Sequence, residues 1–167
     1  MTRGAVSITV ALMATVGLLA VGCGLGRAGV ADPRTVDMCT ILTAPELSRL
    51  GIQPDTREPV DQFGSVGCEW SGTRFTLSLE RDKATVASYQ DRPRGPASIT
   101  VVPNTVNGRA GVRFGVDPEG CEQLLDGGSV SLVVSVASTL RPNAPRIDAC
   151  AEALRIAQLI EPRLRKP

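Results

Sequence analysis

The chain has 167 residues, with 18 Lys and Arg against 17 Asp and Glu, no His, and a formal net charge of +1. That balance excludes the electrostatic footprint of a nucleic-acid-binding protein and predicts no polybasic patch for anionic lipid. The missing His removes the commonest general base and the commonest zinc ligand together, and Phe63, Trp70, Phe75, Tyr89 and Phe114 are too few to build a core and also stack sugars or bases.

Met1-Thr2-Arg3 is a short basic start. Ala5–Val21 is apolar, broken only by small residues such as Ser7, Thr9, Thr15 and Gly17, and closes on Leu19-Ala20-Val21-Gly22-Cys23. Ala20 and Gly22 meet the demand of a leader peptidase for small residues. A Cys directly after the cut is what a lipoprotein leader requires, because its thiol takes a diacylglyceryl group before cleavage. Ala20 stands where Leu is commoner, a mild departure. The competing reading is an uncleaved membrane helix, since about 18–20 apolar residues can span a bilayer. The Ser, Thr and Gly content and the Cys at the boundary favour removal, so residues 1–22 are expected to be a lipoprotein signal peptide and Cys23 the lipidated first residue. No twin-Arg pair is present, which favours the general secretory route. Losing Arg3 leaves the remaining side chains with no net charge, and a diacylglyceryl Cys supplies the two acyl chains that stable anchoring takes.

Residues 23–37 are rich in Gly and Ala, carry Pro33 and show no period, the pattern of a flexible tether with a reach of roughly 20 Å. A single domain over 38–167 would then sit close to the outer face of the membrane.

Four cysteines follow Cys23: Cys39, Cys68, Cys121 and Cys150, spaced 29 apart within the first and the last pair. An even count in an exported chain implies disulfides, and three connectivities are possible. Sequential pairing, Cys39–Cys68 and Cys121–Cys150, is the expected one. With no CxxC and no His, a redox or zinc site is disfavoured, and no metal or cofactor is expected.

Thr43-Ala-Pro-Glu46 is a capping box for a helix with Leu42, Leu47 and Leu50 on its apolar side and Gly51 at its end. Ile52–Gln62, with Pro54 and Pro59, reads as loop. Ser65–Trp70 and Thr73–Glu80 flank Ser71-Gly72 as a hairpin, with Phe75, Leu77 and Leu79 on one side of the second arm. Lys83–Gln90 reads as a short helix, Pro93–Pro96 as loop, and Ile99–Val102 and Val112–Val116 as strands. Leu124–Leu125 and Ser129–Ala137 flank Asp126-Gly127-Gly128 as a second hairpin, with Val130, Leu132, Val134 and Val136 facing one way. Asn143 and Pro145 open a last helix whose Cys150, Ala153, Leu154, Ala157, Ile160 and Leu164 fall on one stripe, and Pro162 kinks or ends it. The class is α+β: an antiparallel sheet with helices on one face, a C-terminal amphipathic helix and two disulfides. The other sheet face, rich in Ser and Thr, is wet or binds something.

The run Cys39-Thr-Ile-Leu-Thr-Ala-Pro-Glu-Leu-Ser-Arg-Leu-Gly51, then Cys68-Glu-Trp70, Gly108-Arg-Ala110, Cys121, and Cys150 opening an Ala-rich helix resemble, in this order, a family of small actinobacterial lipoproteins known only as a domain of unknown function. The resemblance covers about 37–164. It implies a lipid-anchored envelope protein with paired cysteines and carries no catalytic residues across. Element order alone gives a looser similarity to envelope lipoproteins of the photosystem-subunit-like α/β/α fold.

No GxSxG or SxxK pattern occurs. Lys83 and Lys166 are the only lysines for a Ser–Lys dyad, and Lys83 reads as a solvated charge. Asp117-Pro-Glu119 resembles a turn, and Glu69, Glu80, Glu122 and Asp126 make no evident acid/base pair. Gly108 and Gly127-Gly128 make no phosphate loop. Trp70 is expected to pack beside a disulfide, and Arg109 and Arg113 to be solvated, an anionic headgroup being their functional alternative. Enzyme action is not expected. Two readings remain: an interaction or accessory module that docks an envelope protein through the polar sheet face, or a lipoprotein holding a lipid or small solute for transport. The second predicts a cleft lined by the last helix with Phe75, Leu77 and Leu132.

Overall fold

The computed structural model describes residues 30–91, 101–116, 120–139 and 146–166. Cys23, the leader, the Pro93–Pro96 loop, Asp117, Glu119, Asn143 and Pro145 lie outside them. Every element named below and both disulfides fall within 30–166.

Helix α1 (Ala44–Arg49) begins as expected: Pro45 occupies its first turn and the Glu46 carboxylate accepts the Thr43 backbone N–H at 2.8 Å. Gly51 follows at φ +79°, ending the helix where an L side chain would be strained. The stretch 52–62 is not plain loop. It holds a 3₁₀ turn (Pro54–Thr56) and strand β1 (Glu58–Gln62), so that expectation is corrected. Pro59 misled because Pro removes a ladder donor; at the outer edge of a sheet that loss is harmless.

Strands β2 (Ser65–Trp70) and β3 (Phe75–Asp82) form the first expected hairpin, but Trp70 pairs with Leu77 and the connection runs Ser71–Arg74. Helix α2 spans only Val86–Gln90, with Ser88 N–H donating to the Thr85 hydroxyl. Strands β4 (Val102–Val106), β5 (Arg109–Val116), β6 (Gly120–Asp126) and β7 (Ser131–Ser138) follow, then α3 (Ala149–Ile160) with Asp148 capping its start. Of the strand expected at 99–102, Ile99 and Thr100 lie outside the described residues, and β4 begins at Val102. Asn107 (φ +49°) and Gly108 (φ +83°) make the tight β4–β5 turn that the Asn-Gly pair favours.

The seven strands are antiparallel throughout in the order β1-β2-β3-β7-β6-β5-β4, two meanders joined where β3 pairs β7. Turns β1–β2, β4–β5 and β6–β7 therefore share one end of the sheet, together with the exit of β3. Alternation decides the layers. Phe75, Leu77, Leu79, Leu132, Val134 and Val136 point to one face and are at most 1% exposed. They pack with Ile156 and Ile160 of α3, whose Ala149, Ala153 and Ala157 are the small residues of its buried stripe, and with Leu42, Leu47 and Leu50 around α1. The opposite face is partly covered: Val86 and Tyr89 of α2 bury Val112, Leu124 and Val133 in a smaller cluster. Burial of Ser131 and Val133 makes β7 inaccessible on both sides there.

The disulfides are Cys39–Cys68 and Cys121–Cys150, with Cα–Cα separations of 5.1 and 5.0 Å. Cys39 sits in the turn before α1, Cys150 on α3, and each bond fastens an α segment to the strand beneath it.

Candidate functional site

Cross-strand register assembles what sequence distance hides. On the face away from α3, one row across five strands reads Glu58, Glu69, Ser78, Ser135 and Glu122, and Glu80 and Asp82 follow on the next two rows of β3. Burial, then the charges of Glu58 and Glu80, push the Glu69 carboxyl up. Burial, helped by Glu80 and Asp82, pushes Glu122 up to about 6.

Between this face, α2 and the β1–β2 turn lies a cleft of about 430 Å³ lined by Phe63, Glu80, Asp82, Lys83, Tyr89 and Glu122, among others. Much of its chemistry is already engaged. Asp82 accepts the Tyr89 hydroxyl and the Ala84 N–H, and Glu80 accepts Ser78 Oγ at 2.6 Å. Tyr89 stacks on Phe114 at 5.6 Å between ring centroids, which ties the phenol to the small core. Glu122 is left as the carboxyl of raised pKa. It has no nucleophile–base pair beside it among the described cleft residues, and no three described His, Cys, Asp or Glu side chains converge as a metal site.

Phe63 departs from ordinary turn chemistry. It is wholly exposed at φ +52°, beside Gly64 at φ +96°, in the two-residue β1–β2 turn. Asn, Asp or Gly usually takes that backbone.

The expectation of a solvated Arg109 is corrected: its side chain is 0% exposed. Nε donates to Glu161 Oε1 at 3.2 Å, Nη1 to the Asp126 carbonyl at 2.7 Å, and Nη2 to the carbonyls of Leu164 (3.2 Å) and Arg165 (2.7 Å). Burial would push Glu161 up, but hydrogen bonds from Lys166 and Arg109 outweigh it and hold the carboxyl below its ordinary value. Arg113 is exposed, as is Lys83, and Trp70 is buried in the cluster that contains Cys68.

The Arg109 clamp fixes a seam between residues 31–33 and the C-terminal segment 163–165. Ala31 N–H donates to the Arg163 carbonyl and Arg165 N–H to the Ala31 carbonyl, both at 2.7 Å. Pro33 is buried against Gly127. Of the stretch read as a tether, 31–37 is therefore held to the body. Near the seam, Asp32, Pro33, Arg34, Arg165, Lys166 and Gly127–Ser129 line a pocket of about 330 Å³. The neutral composition predicted no basic patch. The fold nevertheless gathers three cations at one end, because residues 34, 165 and 166 meet only across the seam.

A family model described as "Protein of unknown function (DUF3558)" matches residues 19–163. The chain belongs to that family. No curated protein and no solved structure matches it. Among the described residues, no helix is long and apolar enough to cross a membrane.

Proposed function

We propose that the protein is a lipid-anchored lipoprotein of the cell envelope, exported by residues 1–22 and acylated at Cys23. Its domain is a non-enzymatic interaction or accessory module at the outer face of the membrane. The leader pattern and the two disulfides of an oxidising compartment support the address. The observation that carries the module reading is the filled interior. Phe75, Leu77, Leu132, Ile156 and Ile160 line the space where a solute carrier would need its cleft, and all are at most 1% exposed. The accessible chemistry is instead the acidic row on the open face, whose Glu58 and Glu69 are exposed. That row suits a partner presenting Arg or Lys.

Two measurements test this reading. Cys23→Ala should release the protein from membranes; retention with the leader attached contradicts the anchor. A photo-crosslinking residue at Glu69, introduced in the native host, should yield one discrete protein adduct that the same residue at exposed Arg155 on α3 does not. Equal adduct patterns from both sites contradict docking through the open face.

A further inference from the structure

We infer that the end of the sheet bearing the β1–β2, β4–β5 and β6–β7 turns is a second membrane contact, which docks on anionic phospholipid headgroups. The inference rests on the Cys23 anchor for its orientation and goes beyond it in giving the folded domain its own lipid-binding surface.

Chain length sets the first constraint. Ala31 is hydrogen-bonded to Arg163 and Arg165 at this end of the sheet. Only eight residue steps separate Ala31 from Cys23. Whatever their conformation, they reach at most about 28 Å. An acylated Cys23 thus keeps this end nearest the bilayer.

Charge is the second. Arg34, Arg165 and Lys166 surround the seam pocket with side chains 63%, 66% and 66% exposed. Asp32 lines the same pocket, pairs with Arg34 at 2.7 Å and lies 3.9 Å from Arg165, Glu161 is buried under Arg109 and Lys166, and Asp126 accepts the Gly128 N–H. The four cations of the seam, Arg34, Arg109, Arg165 and Lys166, thus outnumber these three carboxylates by one, and the exposed side chains are the cationic ones. Lys83 adds a further exposed cation where β3 leaves this same end.

Phe63 is the third and is independent of charge. The β1–β2 turn projects a fully exposed phenyl ring from the same end, three strand steps or about 14 Å from the β6–β7 turn. Neither turn chemistry nor packing accounts for an aromatic there. An aromatic beside cations at the headgroup boundary is the arrangement that interfacial binding uses. Glu58 and Glu69 of the open face lie towards the far end of their strands, whereas exposed Asp61 and buried Asp82 stand beside the Phe63 turn, so the cationic surplus offered to the membrane lies on the seam side of this end.

Residues 24–167 carry the complete described fold, and exported behind an unrelated leader they test the surface without any acyl chain. In low salt, binding is measured to vesicles of phosphatidylcholine alone and to vesicles one-third phosphatidylglycerol. Expected is at least tenfold tighter binding to the anionic vesicles, weakening as salt rises. Near an anionic surface each cation contributes about fivefold, so the combined Arg34→Gln, Arg165→Gln, Lys166→Gln variant should bind on the order of 100-fold more weakly. Phe63→Ser, outside the ion-pair network, should weaken binding with no loss of folding, and Arg113→Gln should bind as the parent does. Equal binding to both vesicle types, or a triple variant no weaker than Arg113→Gln, overturns the inference. Because no Cys23 is present, that result leaves the anchor to be judged by its own test.

Discussion

Replacing Arg109 with Met should be among the most damaging single changes outside the apolar core. The guanidinium is fully buried and makes four hydrogen bonds, one to Glu161, which is 4% exposed, and three to carbonyls of β6 and the C-terminal segment. Met keeps most of the volume but strands Glu161 with Lys166, whose own side chain is 66% exposed. Breaking a buried pair in this way costs about 3–5 kcal/mol. A domain of this size has a total stability of roughly 5–15 kcal/mol, so the midpoint of thermal unfolding should fall by roughly 10–15 °C. Urea unfolding of the oxidised protein measures the loss. Amide exchange at Ala31 and Arg165 should quicken more than in β3 or β7, because the seam is what the clamp holds. Arg109→Met combined with Glu161→Leu should regain at least about 1 kcal/mol, since the stranded charge is gone. A cost below about 1 kcal/mol for the single variant, or a double variant less stable than the single, would refute the clamp.

Glu122 predicts a pH dependence of known sign. Its folded pKa, about 6, stands above the ordinary value of 4.5, so the folded state holds the proton more tightly and this group destabilises progressively as pH rises through 6. Glu122→Gln should therefore be more stable than the parent by about 1–2 kcal/mol at pH 7.5 and equal to it near pH 4, read by urea midpoints at both. Glu46 works the other way: hydrogen bonds from Arg163 and the Thr43 N–H hold it at about 2, so its stabilisation disappears as pH falls from 4.5 towards 2 and should be absent in Glu46→Gln. Removing Cys39–Cys68 by paired Ser substitutions should cost about 3–4 kcal/mol in the chain-entropy treatment of a loop this long, measured against the oxidised parent. Gly67→Ala should cost about 3 kcal/mol, because its Cβ would lie 2.0 Å from the Leu79 carbonyl oxygen and 2.7 Å from Glu80 Cα, neither of which can yield. Gly128→Ala meets nothing within 4 Å and carries only the strain of φ +80°, about 1 kcal/mol.

Features with a local cause were legible. The Thr43 capping box, the alternation of Phe75–Leu79, the Asp126-Gly127-Gly128 turn and the stripe of α3 as far as Ile160 each depend on residues within a few positions of one another. Leu164, read as part of that stripe, instead lies in extended backbone beyond the 3₁₀ turn Glu161–Arg163 and bridges Ala31. The cysteine pairing was legible from count and spacing. What depended on long-range register was not. Burial of Arg109 needs Glu161 and three carbonyls that arrive only when the C-terminal segment folds back. The acidic row needs five strands in register, and the basic end needs residues 34 and 165 to meet. β1 was hidden for a different reason: Pro54 and Pro59 signal loop, and only a place at the sheet edge makes Pro59 compatible with a strand. The hairpin at Asn107-Gly108 could have been read from that dipeptide.

The most direct single test of the anchored, solid-cored module is native mass spectrometry on protein gently extracted from its own host's membranes, with mild activation to eject anything held non-covalently. Expected is a chain starting at Cys23 that carries a covalent lipid and two disulfides and releases no small solute, with any bound mass being a polypeptide or a membrane phospholipid. A leader still attached at Cys23, or a discrete ejected solute other than membrane phospholipid, would contradict it.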